Sequence, residues 1–120
     1  MARTELEGRT KRFALELINL VERMPTTKAA DVVSRQLLRS GTSTGANYRE
    51  ANRAESADDF IHKIAISTKE ASETEFWLEM INESQSLQTH GANALLIECR
   101  ELIAILITIG KNAKQHKTKR

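Results

Sequence analysis

The feature that most constrains the fold is a strict alternation of four- and three-residue steps. Phe60, Ile64, Ser67, Ala71, Thr74, Leu78 and Ile81 follow it across two dozen residues. Only a helix places such a series on one face, and only packing against other helices keeps it there. The preceding segment has the same rhythm in polar and small residues: Gln36, Ser40, Ser43, Asn47 and Glu50. A solvated face does not need small uncharged residues at such intervals, and an ordinary core face would be Leu and Ile. The stripe therefore points to close helix approach, to a satisfied polar network, or to a site.

The rest of the chain is equally helical in pattern. It has 120 residues, one proline and five glycines, and few aromatics. That length forms one domain whose core needs no disulfides. The spacing predicts four helices. The first spans residues 5–24, with Phe13, Leu17, Leu20, Val21 and Met24 as its apolar stripe, and Pro25 ends it. The second starts at Thr26 or Thr27 and runs to about residue 53. Gly41 and Gly45 lie inside it, each costing about 1 kcal/mol against alanine. They either break the helix or let another backbone come close. Ser56, with Asp59 three residues on, caps the third, which ends near residue 85. The fourth spans residues 92–112, with Leu95, Leu96, Cys99, Leu102, Ile103, Leu106 and Ile109 on its core face. Short links between four helices predict an all-α, up-down-up-down antiparallel four-helix bundle over residues 1–112. Residues 113–120 read as a disordered basic tail.

The fourth helix is apolar on more than its core face. Ile97, Ala104, Ile105 and Ile107 add surface that one bundle does not need, so they are the candidate oligomer interface. The longest apolar run, residues 102–109, is far short of the ~20 residues a membrane span requires. The charged first residues lack a signal-peptide core. A cytoplasmic protein without membrane contact is the expectation. The single cysteine, Cys99, excludes an intrachain disulfide and reads as a small buried hydrophobe.

Charge is unevenly placed. The net charge is +2, but Lys111, Lys114, Lys117, Lys119 and Arg120 stand together without an acid, which leaves residues 1–110 at −3. Residues 25–53 carry +3 and residues 55–83 carry −6, so the two middle helices can pair with each other or with another copy. Together with Arg35, Arg39, Arg49 and Arg53, the five C-terminal basic groups are the candidate nucleic-acid contacts. Stacking aromatics are nearly absent.

Tests for chemistry return little. A di-metal bundle needs a Glu-x-x-His on each of two helices, and the chain has only Asp59-x-x-His62. No nucleophile elbow and no phosphate-cradling glycine loop is present. No catalytic residue, metal or cofactor is assigned. Glu70 and Glu73 form a carboxylate pair that could do acid–base work. Equally, they could close a structural network with Gln36, Asn47 and Glu50, or with Arg39 and Arg53. The structural reading is favoured, since each buried polar group left unpaired costs about 1–3 kcal/mol.

The series Gln36-Leu-Leu-Arg39-Ser40, Ser43, Asn47, Glu50, Arg53, Ser56, Asp59-Phe60, Ile64-Ala65, Ser67, Glu70 and Glu73 resembles the bacterial four helix bundle protein family. That family includes proteins encoded in intervening sequences of large-subunit ribosomal RNA genes. The series is also similar to the accessory variability proteins of diversity-generating retroelements. The match is strongest over residues 30–80. Ala51 and Ile66 stand where the family usually has glycine. The resemblance implies a homo-pentamer of four-helix bundles without established activity. In retroelement members it implies a basic surface that binds RNA or DNA and a reverse transcriptase. The expectation is a non-enzymatic homo-oligomer acting as a scaffold or nucleic-acid accessory. Two alternatives stay open: a purely structural or protein-interaction module, and a small-ligand-binding bundle using Glu70 and Glu73.

Overall fold

The computed structural model describes residues 1–118 and contains four helices: α1 (Arg3–Arg23), α2 (Lys28–Ala51), α3 (Ala57–Glu83) and α4 (Ala92–Thr118). They form the expected four-helix bundle, about 52 Å long and 22 × 20 Å across. Each helix packs on its neighbours in the order α1–α2–α3–α4–α1.

The helix ends follow local chemistry. Met24 is extended (ψ 154°), as a residue before proline must be, and α1 stops there. Of the two threonines, Thr27 is the cap of α2: its hydroxyl accepts from the Ala30 N–H at 3.1 Å. Ser56 caps α3 as its spacing predicts, accepting from the Asp59 N–H at 3.0 Å. The α3–α4 link closes at Gly91, whose φ of +95° is reserved for glycine. A Cβ there would lie 2.7 Å from the Arg23 guanidinium, which donates to the His90 carbonyl.

α4 differs from expectation. It continues past Asn112 to Thr118, through residues 113–118 of the segment that reads as disordered. Nothing in that stretch breaks a helix, its lysines suit the negative helix end, and Lys117 pairs with Asp58 at the start of α3. Lys119 and Arg120 lie outside the described residues.

The core is apolar along most of its length, built on Leu6, Phe13, Leu17 and Leu20 of α1, Leu37 of α2, Ile64, Leu78 and Ile81 of α3, and Leu102 and Leu106 of α4. Cys99 is fully buried and its thiol donates to the Ala71 carbonyl at 3.3 Å. Burial pushes that thiol up to about 12, so it is a packing residue as expected.

α2 is the exception to an apolar core. It is unbroken, and its small residues do two jobs. Toward α1, Gly41 and Gly45 make room. A Cβ on Gly41 would meet a Leu17 methyl at 2.1 Å, and one on Gly45 would sit 3.1–3.2 Å from Thr10. Toward α3, the fully buried Ser40, Thr44, Ser67 and Thr74 form a hydroxyl seam. Ser67 donates to the Thr44 carbonyl at 2.6 Å, and the Ser40 and Thr74 hydroxyls lie 2.8 Å apart. Every hydroxyl in the seam has a partner, so burial leaves none of them orphaned. Leu17 is itself fully buried, so its methyl must shift within the core to admit a Cβ. Gly41→Val is therefore expected to lower unfolding free energy by about 1–3 kcal/mol in urea titrations, despite valine's better helix propensity. An unchanged or raised midpoint would show that α1 and α2 are not in close contact there.

Candidate functional site

The site proposed by sequence is the face shared by the polar stripe of α2 and the acidic face of α3. The structure draws Gln36, Arg39, Glu70 and Glu73 together. Arg39 lies between the two carboxylates, 3.2 Å from Glu70 and in direct contact with Glu73, and its Nε donates to Gln36 at 3.3 Å. The Trp77 indole N–H donates to the same Glu73 oxygen at 3.1 Å. These residues meet because Glu70, Glu73 and Trp77 fall on the α2 side of α3, one turn apart. Asn47 and Glu50 do not join. Asn47 donates to the Ser43 carbonyl of its own helix at 2.9 Å, and Glu50 points to solvent. The network is thus smaller than the stripe, and its hub is Arg39.

This geometry provides no free carboxylate pair. Trp77 and Arg39 hold the Glu73 carboxyl below its ordinary value, so it is a poor general base near neutral pH. Two acids facing one arginine form an ion-pair clamp rather than an acid–base couple. No group of three or more His, Cys, Asp or Glu among the described residues is placed to hold a metal.

Similar clamps occur on the other seams, and sequence reading did not find them. Arg9 of α1 forks onto Glu98 of α4 at 2.7 Å and reaches Glu101 at 3.0 Å. Arg100 of α4 bridges Glu75 and Glu79 of α3 at 2.8 and 2.9 Å. Arg49 of α2 lies 3.5 Å from Glu7 of α1, which also accepts from Asn52 at 2.8 Å. The signal was present as pairs such as Glu75 and Glu79, one turn apart on α3. Nothing in the sequence says which arginine they face.

These pairings decide which basic groups are available. Of the candidate nucleic-acid contacts, Arg39 and Arg49 sit in clamps, Arg35 pairs with Asp31 at 3.1 Å, and Lys117 pairs with Asp58. Arg53, Lys111 and Lys114 are exposed, and their side chains have no ion pair among the described residues. Of the candidate interface, Ile97 is 53% and Ile107 43% exposed, and Ala104 is exposed. Ile105 instead turns toward α1 and packs on the core. Phe76 and Met80 of α3, absent from the expected interface, are 49% and 41% exposed. No helix among the described residues is long and apolar enough to cross a membrane.

Glu73 gives the clamp a pH signature. Its folded-state value lies below its unfolded one, so its stabilising contribution is full above the ordinary glutamate range. That contribution is lost as pH falls through the depressed value. Trp77 is the only tryptophan and reports directly. Its fluorescence is expected to change in a titration step below the ordinary glutamate range, and Glu73→Gln is expected to remove that step. Persistence of the step in the variant would contradict the contact.

A family model described as 23S rRNA-intervening sequence protein matches residues 5–108. Among solved structures, the chain is similar to a protein of unknown function from the S23 ribosomal protein family of Bacteroides thetaiotaomicron. The two are 37% identical, with a TM-score of 0.82, over 92% of this chain and 99% of that one. No curated protein matches. With the model covering most of the chain and the bundle described above, the protein belongs to the 23S rRNA-intervening sequence protein family.

Proposed function

We propose that the protein is a non-enzymatic, cytoplasmic homo-oligomer that serves as a scaffold or accessory for nucleic acid. The observation that carries the reading is the exposure of Ile97 and Ile107 on the outer sides of α4, beside exposed Ala104. Scattered single apolar residues need no explanation, but several on one helix surface mark contact. Phe76 and Met80 extend the apolar surface onto α3. A pentamer is the assembly that the family resemblance implies. The clamp on Glu70 and Glu73 argues against the alternative of a ligand-binding bundle that uses those carboxylates.

The basic surface is narrower than the charge count implies. Of the candidate contacts among the described residues, Arg53, Lys111 and Lys114 are the ones left to neutralise phosphate. Repetition around a ring would multiply their weak individual effect. The family's description refers to intervening sequences of 23S rRNA, which makes RNA the first nucleic acid to test. A reverse transcriptase is a partner only where the gene lies beside a retroelement.

Sedimentation equilibrium at micromolar concentration is expected to give about five times the chain mass, and Ile97→Asp with Ile107→Asp to give monomers. A monomeric wild-type chain would overturn the assembly. RNA binding, measured by anisotropy, is expected to weaken steeply with salt, and Lys111→Glu with Lys114→Glu to flatten that dependence. Substitution is preferable to deleting the end of α4, because Lys117 ties it to α3. Salt-independent or absent binding would remove the nucleic-acid role.

A further inference from the structure

At one end of the bundle the start of α1, the end of α2, the start of α3 and the end of α4 surround a cavity of about 680 Å³. That volume is in the range of small-molecule sites, roughly 300–1,000 Å³. Its wall combines apolar surface, from Ala51, Phe60 and Ile109, with three polar features. Tyr48 lines the space, its side chain largely buried, and its hydroxyl has no hydrogen-bond partner among the described residues. Asn52 donates to Glu7, but its Oδ1 is enclosed without a partner, the one such side-chain atom among the described residues. Arg3 lies over the Phe60 ring at 5.7 Å and forms no ion pair among the described residues. The first turn of α3, from Ser56, opens on the same space, and its positive helix end is already met by Asp58 and Asp59.

We propose that this cavity binds a small aromatic carboxylate carrying a hydroxyl hydrogen-bond donor. Each part of the ligand has a counterpart in the wall. The carboxylate meets Arg3, whose guanidinium forms no ion pair among the described residues. The ring lies against Phe60 and Ile109, which bury apolar area. The donor meets the Tyr48 hydroxyl, and either it or a water held beneath it satisfies Asn52 Oδ1. The site is separate from the Arg39 clamp and does not depend on assembly or on nucleic-acid binding. Arg3, Ile109 and Lys117 of its wall lie outside the residues that match the family model, so it need not be a general property of the family.

The test is an NMR titration of the full-length protein with 4-hydroxybenzoate and with benzoate. With 4-hydroxybenzoate we expect saturable amide shifts confined to residues 1–3, 48–60 and 109–117. Benzoate is expected to bind about five- to tenfold more weakly, having lost one hydrogen bond. Arg3→Gln changes an exposed side chain, cannot unfold the core, and should weaken both probes about equally. Tyr48→Phe, checked for an unchanged melting temperature, should bring the two probes to similar affinity. No saturable shift with either probe at millimolar concentration would overturn the site. So would shifts spread over the whole surface, or affinities that Arg3→Gln leaves unchanged.

Discussion

The bundle depends on how closely α2 can approach two neighbours at once. Toward α1 the helix presents glycine at positions 41 and 45, and the facing side chains, Leu17 and Thr10, occupy the space a Cβ would need. Toward α3 it presents Ser40 and Thr44, which meet Ser67 and Thr74 in a seam without an orphaned hydroxyl. An all-leucine stripe at these positions would push the helices apart. Small residues bring the backbones together, and two bonds cross the seam, from Ser67 to the Thr44 carbonyl and between the Ser40 and Thr74 hydroxyls. Ser40, Thr44 and Thr74 are also met on their own helices. The glycines weaken helix propensity locally, and the packing they allow offsets that cost.

Around this centre, arginine–glutamate clamps close each seam from outside. They are partly exposed, so individually they add little stability. Their effect is on placement: each arginine meets acids on one neighbour, and Arg39 joins the basic α2 to the acidic α3. That pairing also shapes function. Acids that could have formed a reactive pair are neutralised, and arginines that could have met phosphate are occupied. What stays unsatisfied is exposed apolar surface, including that on α3 and α4, a few basic groups, and the cavity at the end of the bundle.

The fold was legible because periodicity and punctuation agree. Pro25, Thr27, Ser56 and Gly91 mark the ends, and the alternating four- and three-residue steps of α3 leave no other element possible. The α2–α3 packing was legible in part, since the small residues Ser40 and Ser43 in the stripe of α2 and Ser67 and Ala71 in that of α3 point to close helix approach. The polar network was read too broadly. Asn47 and Glu50 share the face of Gln36 by spacing, but Asn47 can satisfy itself on its own helix, and helical spacing cannot distinguish that from a contact across the seam. The end of α4 was missed because its basic composition resembles a tail, while its pairing partner, Asp58, is 59 residues away. The cavity was not legible at all, because Tyr48 and Asn52 look like core and cap until four helix ends are assembled around them.

Native-state hydrogen exchange tests the central role of α2 most directly. If α2 is the element on which the others depend, the amides of residues 40–48 and of the facing turns of α3 exchange only through global unfolding, with the largest protection in the molecule. Opening of those amides at a free energy well below that of global unfolding, while α1 and α4 stay protected, would contradict it.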